Sequence, residues 1–146
     1  LANMQIKEGN TALAVAQYQQ VLDYEANNLV ALNNLAWFLR DSNAKQALEH
    51  AQRAVEIDGG AAAIQDTLAM ALLADGQFNE AKNAIARALG KTPGDATMSY
   101  HRVQINLALG QKSSAASELK RLLQNEQQFP ERGEAEAMMK QLSSDD

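Results

Sequence analysis

Apolar residues recur along the chain at the spacing of amphipathic helices. Within residues 62–95, two apolar faces flank the tripeptide Asp75-Gly76-Gln77. Residues three or four positions apart share one side of a helix. The two faces consist of Leu68, Ala69 and Leu72 in the first and Ala81, Ile85, Ala88 and Leu89 in the second. Glycine ends helices readily and proline cannot continue them, so Gly76 and Pro93 are the expected stops. The pattern predicts two helices joined by a tight turn.

The helix pair recurs at intervals of 33 or 34 residues on both sides of this segment. An alanine where two helices cross lets their backbones approach, and a larger residue one turn later fills the adjoining gap. Leu35, Ala36 and Leu39 repeat the first face. The second face is repeated by three sets: Ala14, Tyr18 and Val21; Ala47, Ala51 and Ala54; and Ala115, Leu119 and Leu122. In the last repeat we place the first face one residue later, at Val103 and Leu107.

The repeated unit resembles the tetratricopeptide repeat (TPR) in its length and in its order of small and large residues. The matching positions are Leu68, Ala69, Leu72, Ala81, Ile85 and Pro93. Gln65 departs from the repeat pattern, where a large apolar residue is usual. The resemblance implies an all-α fold, a right-handed superhelix of antiparallel helix pairs. A polar-faced helix after Phe129-Pro130 is the expected C-terminal cap.

We interpret the chain as one domain that begins inside a repeat, because Leu1-Ala2 falls where the middle of a first helix is expected. A short helical stump over residues 1–7 is predicted to end at Gly9-Asn10, before a helix over 11–24. The expected divisions are a partial repeat at 1–28, repeats at 29–61, 62–95 and 96–128, a capping helix at 129–142 and a frayed tail at 143–146.

Three stretches resemble one bacterial family more closely, the TPR-repeat lipoprotein of the PEP-CTERM/exosortase sorting system. They are Leu-Asn-Asn-Leu-Ala-Trp at 32–37, Gln-Asp-Thr-Leu-Ala at 65–69 and the Phe-Pro-Glu-Arg segment at 129–139. The resemblance implies a larger exported scaffold linked to exopolysaccharide and surface-protein sorting, in the periplasm or attached to the outer membrane. Two alternatives stay open: a cytosolic peptide-binding adaptor, and the regulatory arm of an enzyme whose catalytic domain lies outside this sequence.

The composition of the chain argues against several classes of partner and chemistry. The net charge of −5 argues against nucleic acid, which requires a clustered basic face. No apolar run reaches the roughly 18 residues of a membrane span, so this segment is not expected to insert directly into a membrane. The chain has 0 cysteines, which excludes thiolate chemistry and disulfides.

Candidate catalytic residues are sparse, and we expect no enzymatic activity, metal or cofactor. His50 and His101 fall in different repeats, without a second ligand at metal-binding spacing. Ser113-Ser114 follow a turn and fit a helix N-terminus better than a nucleophile. Glu134 and Glu136 are interpreted as a solvated helix face. Gly59-Gly60 lacks the Lys-Ser/Thr of a phosphate loop.

A binding site is predicted on the concave face, where the first helices of the repeats line a superhelical groove. The candidate residues are Asn33, Trp37, Arg40, Asp66, Met70, Leu73, His101 and Ile105. Four of them would form an apolar strip, and exposed apolar strips typically mark partner sites. We predict a polypeptide partner. The alternatives are that Trp37 is an ordinary core residue, that upstream repeats cover the strip, and that copies associate through the N-terminal end.

Overall fold

The computed structural model describes the backbone of residues 2–145 and the side chains of residues 8–145. This part of the chain forms eight α-helices and no strand. The helices are α1 (Ala2–Tyr24), α2 (Leu29–Leu39), α3 (Ala44–Asp58), α4 (Ala62–Ala74), α5 (Phe78–Lys91), α6 (Ala96–Ala108), α7 (Lys112–Gln124) and α8 (Arg132–Ser144). The predicted all-α fold is confirmed.

Local sequence signals fix several helix ends. Asn28, Asn43 and Asp95 each accept a hydrogen bond from the backbone N–H three residues later, at 2.9, 3.2 and 2.8 Å. Such N-caps satisfy one of the free donors of the first helical turn. Gly76 and Gly110 have φ of +82° and +75°, the left-handed conformation that ends a helix. These two turns lie one repeat period apart and reverse the chain in the same way.

The predicted break at Gly9-Asn10 is wrong, because α1 runs without interruption from Ala2 to Tyr24. A glycine inside a helix costs only about 1 kcal/mol, and no proline follows to enforce a stop. The side chains of residues 1–7, on which the predicted N-terminal self-association depends, lie outside the described residues. At the other end, α8 continues to Ser144, beyond the predicted start of the tail, and Asp146 lies outside the described residues.

The helices form a two-layer, right-handed superhelix. Each helix packs on the next one along the chain, and α4 also contacts both α2 and α6, so that these three helices form an inner layer. The alanines predicted at the helix crossings are buried, with Ala47, Ala81 and Ala115 all 0% exposed. Ile85 is likewise 0% exposed in the central core. The small residues therefore allow the close approach that the repeat pattern predicts.

His50 on α3 is a buried polar residue that the core does not satisfy. The residue is 8% exposed, and neither ring nitrogen has a hydrogen-bond partner within the described residues. Burial lowers the pKa of His50 below its ordinary value of 6.5; nearby Arg53 lowers it further, and Glu49 partly opposes the shift. The unfolded chain therefore binds a proton more readily than the folded chain as the pH falls through 6.5.

We expect His50→Leu to flatten the pH dependence of stability. Because the folded-state pKa is lowered, the wild type should lose stability from about pH 7.5 downward, until the folded-state pKa is passed. The variant has no such group and removes two unsatisfied nitrogens, so it should gain about 1 kcal/mol at about pH 5.5 relative to wild type. Urea unfolding at mildly acidic and mildly alkaline pH measures both effects. Parallel pH profiles for the two proteins would contradict the assignment.

Candidate functional site

The inner layer lines a groove of about 400 Å³ that is bounded by α2, α4, α6 and the start of α8. Five of the eight predicted site residues lie in its wall: Trp37, Arg40, Met70, Leu73 and His101. Six further residues of the wall were not predicted: Asp41, Ala74, Tyr100, Gln104, Glu131 and Glu134. The groove wall is therefore mixed: it is apolar at Trp37, Met70 and Leu73, and it carries charged side chains just after α2 and in the capping segment, residues 129–142.

Trp37 is half-buried and is not among the residues of the buried core clusters. The guanidinium carbon of Arg40 lies 3.7 Å from the centroid of its ring, a cation–π contact. Arg40 also donates a hydrogen bond from Nη1 to the carbonyl oxygen of Trp37 at 2.5 Å. On α6, the ring of His101 lies 5.6 Å from the Trp37 ring, between centroids. Trp37 is thus held by neighbours while part of it stays open to the groove.

Asp66 does not line the groove but fixes a residue that does. Its Oδ1 lies 2.7 Å from Nδ1 of His101, with Asp66 9% and His101 3% exposed. An ionised carboxylate can only accept, so Nδ1–H of His101 donates this bond from α6 to α4. Burial lowers the pKa of Arg40, and the carboxylates of Asp41 and Asp66 partly offset the shift. The guanidinium nevertheless stays protonated. A chain of contacts joins Asp66, His101, Trp37 and Arg40 across three repeats.

The predicted continuous apolar strip is wrong at its C-terminal end, because Ile105 is 0% exposed and belongs to the central core. The error comes from the one-residue shift assumed in the last repeat. Without the shift, Ile105 corresponds to the fully buried Ala71, and Gln104 corresponds to Met70 in the groove wall. Gly76 and Gly110 mark the same unshifted period. The exposed apolar surface is also smaller than expected, since Met70 is only 6% exposed.

Asn33 lies on α2 but does not line the groove. It is partly buried, and its amide oxygen has no hydrogen-bond partner within the described residues. A buried, unpaired carbonyl oxygen costs free energy wherever it lies. Of the predicted site, the structure therefore brings five residues together in the groove wall, places Asp66 behind it, and leaves Asn33 and Ile105 outside.

The capping segment contributes the residues that sequence reasoning missed most clearly. Glu131 is the residue immediately before α8, and its Oε2 accepts a hydrogen bond from the Thr97 hydroxyl of α6 at 2.9 Å. Glu134, in the first turn of α8, is exposed and lines the same groove. The polar pattern of α8 alone assigns its carboxylates to a solvated outer surface. Only the packing of α8 against α7 and the hydrogen bond between Thr97 and Glu131 bring these carboxylates to the groove.

Neither a metal-binding cluster nor a membrane-spanning helix occurs among the described residues. Among the described residues, no three His, Cys, Asp or Glu side chains are grouped closely enough to hold a metal ion. Nor does any described helix combine the length and apolarity needed to cross a bilayer.

Comparison with known proteins identifies the fold. The family model of the tetratricopeptide repeat matches residues 67–132. A MamA fragment from Desulfovibrio magneticus RS-1 superposes with a TM-score of 0.69 at 20% identity, covering 82% of this chain and 68% of that one. A thermophilic TPR protein from Thermus thermophilus gives a TM-score of 0.79 at 19% identity, covering 97% of this chain and 77% of that one. No curated protein matches the sequence.

A third solved structure, YrrB, is described as a TPR protein with an unusual peptide-binding site. It superposes with a TM-score of 0.60 at 20% identity, covering 73% of this chain and 56% of YrrB. At such identities the structural likeness shows a common fold, not a common ligand. The chain is an all-α TPR superhelix.

Proposed function

We propose that this superhelix is a non-catalytic protein-interaction module that binds a polypeptide segment in the groove of its inner layer. The observation that carries the proposal is the half-buried Trp37, held in the groove wall beside Met70 and Leu73. A rigid aromatic side chain in a concave surface is a typical binding anchor. The peptide-binding description of YrrB, which has the same fold, adds support.

The Asp66–His101 hydrogen bond favours binding rather than chemistry. It fixes the His101 ring beside Trp37, so the groove wall is formed before a ligand arrives. A preformed site saves the ordering entropy that otherwise reduces affinity. The same bond leaves His101 Nδ1 engaged with a buried carboxylate, and no serine hydroxyl lines the groove within the described residues. The wall thus presents an aromatic side chain and charged side chains that a ligand can contact.

We further propose that the module belongs to an exported scaffold of a bacterial envelope system for protein sorting and exopolysaccharide, in the periplasm or on the outer membrane. The support is the sequence resemblance of residues 32–37, 65–69 and 129–139. The competing assignments are a cytosolic adaptor and the regulatory arm of an enzyme. Fractionation of the producing cell tests the exported assignment, since recovery of the protein with the cytosol contradicts export.

We expect Trp37→Ala to weaken peptide binding at least about tenfold, because the substitution removes the aromatic anchor of the groove. Peptides are first selected from a phage-displayed random library on the immobilised wild-type protein. Their fluorescein-labelled forms are then titrated by anisotropy. Since Trp37 lies outside the buried core clusters, circular dichroism should show that the variant stays folded at the assay temperature.

Tyr24→Ala is the matched control, because Tyr24 is an aromatic residue that is 91% exposed at the end of α1 and outside the groove wall. It should bind the selected peptides as the wild type does. Trp37→Phe retains an aromatic ring and should lose less affinity than Trp37→Ala. Failure of the library to yield any binder, or equal affinity of wild type and Trp37→Ala, would refute binding in this groove.

A further inference from the structure

The wall of the groove carries more negative than positive charge, and two of its three carboxylates, Glu131 and Glu134, form an acidic end at the capping segment. The carboxylates of Asp41, Glu131 and Glu134 line the groove, and Arg40 is the one guanidinium among the described lining residues. The Arg40 charge is already placed over the Trp37 ring. Arg132, the one arginine of α8, pairs with Glu136 at 3.2 Å and does not line the groove. Among the described residues, neither Glu131 nor Glu134 forms an ion pair with an arginine or lysine.

Tyr100 adds a second, independent feature at the same place. Its side chain lines the groove although the residue is only 4% exposed. It makes no side-chain hydrogen bond to any other described residue, while its hydroxyl is not among the fully enclosed unpaired atoms. Burial, followed by the charges of Glu134 and Glu131, raises the pKa of Tyr100. The unpaired phenol of Tyr100 and the carboxylates of Glu131 and Glu134 therefore line the same part of the groove.

We infer that the groove selects a basic polypeptide segment, with one Lys or Arg side chain seated among Tyr100, Glu131 and Glu134. Charge-assisted hydrogen bonds to carboxylates are the strong class of such contacts. Oε2 of Glu131 accepts the hydrogen bond from Thr97, which leaves Oε1 for the ligand. Glu134 has no hydrogen-bond or ion-pair partner within the described residues. An apolar residue of the same segment then packs against Trp37. The inference rests on the proposed function, since both use one groove.

This arrangement gives the C-terminal segment a role beyond covering the last repeat. Glu131 and Glu134 supply two of the three acidic side chains of the groove, and Thr97 on α6 fixes Glu131 in place. The hydrophobic contacts of Ala135 and Leu142 with the last repeat hold α8 where these carboxylates are needed. The segment that ends the superhelix therefore also determines which ligands it accepts.

The test compares three libraries of capped, fluorescein-labelled nonapeptides that differ only at the central position. That position holds arginine, its neutral isostere citrulline, or glutamate, and the other positions hold equal mixtures of alanine, leucine, serine and tyrosine. Anisotropy titrations are made at low and at moderate sodium chloride concentrations. We expect the arginine library to bind about tenfold more tightly than the citrulline library. The difference in affinity between these two libraries should become smaller at the higher salt concentration, because salt screens the carboxylates.

Glu131→Gln/Glu134→Gln should abolish the preference for arginine and leave citrulline binding unchanged. The matched control is Glu56→Gln/Glu126→Gln, which removes the same charge at two exposed residues outside the groove. The control should keep the preference of the wild type. Its loss in the control would mean that net charge alone attracts arginine, and would overturn the inference.

The remaining outcomes separate the two proposals. Equal binding of the arginine and citrulline libraries to the wild type, with weaker binding to Trp37→Ala, overturns the basic preference and leaves groove binding intact. Absence of binding by all three libraries overturns both. Tighter binding of the glutamate library would assign the groove to acidic segments through Arg40, and would also overturn the inference.

Discussion

Ile85→Ala is expected to lower the free energy of unfolding by about 2–5 kcal/mol, the range for truncating a fully buried isoleucine. Ile85 is 0% exposed on α5, in the central core that α4 and α5 share with their neighbours. Removal of three carbon atoms there leaves a cavity that close-packed helices refill only in part. Urea unfolding followed by far-UV circular dichroism measures the loss directly.

Ile57→Ala provides the matched control, because it removes the same atoms from a side chain that is 45% exposed on α3. We expect a change within about 0.5 kcal/mol, as for most surface substitutions. If Ile85→Ala and Ile57→Ala melt alike, the central core is not formed as the structure describes it.

Asp66→Ala is expected to cost about 1–3 kcal/mol, because it leaves Nδ1–H of His101 buried without an acceptor. The bond is 2.7 Å long, and His101 is 3% exposed, so water cannot readily replace the carboxylate. The same change should alter the fluorescence of Trp37, the only tryptophan in the chain, since its ring lies against His101. Chemical unfolding and emission spectra are the two measurements.

A double-mutant cycle isolates the hydrogen bond. His101→Phe removes the donor and leaves an aromatic ring beside Trp37, so the double variant with Asp66→Ala has no orphaned imidazole. We expect the double variant to be more stable than Asp66→Ala alone. Strict additivity of the two single changes would show that Asp66 and His101 do not interact.

The repeat period is sufficient to predict most of the fold, and several helix ends also have a local signal. Asn28, Asn43 and Asp95 cap their helices through their own side chains, and Gly76 and Gly110 adopt the positive φ that their turns require. Gly9 carries the same kind of signal in the sequence, yet α1 continues through it and Gly9 does not adopt a positive φ. Local chemistry is visible in sequence, whereas the continuation of α1 depends on the balance of small propensities.

The groove is only half predictable, for reasons of register and tertiary contact. Trp37, Arg40 and Met70 follow from the helical spacing alone. Ile105 is misplaced because a one-residue shift exchanges a groove position for a core position. Glu131 and Glu134 are missed because only the packing of the capping segment, with the bond from Thr97, brings them near Tyr100. A carboxylate on a polar helix face gives no sign in sequence that it meets a distant groove.

The packing of each described helix chiefly on its immediate neighbours has a consequence for folding. Nearly all stabilising contacts join segments that are close in sequence, so little loop-closure entropy must be lost before they form. Folding can nucleate at the extensive α4–α5 contact and then propagate helix by helix toward both ends of the chain. Amide protons should then exchange with solvent most slowly in α4 and α5 and fastest toward α1 and α8. The acidic end of the groove would be the last part to assemble and the first to open.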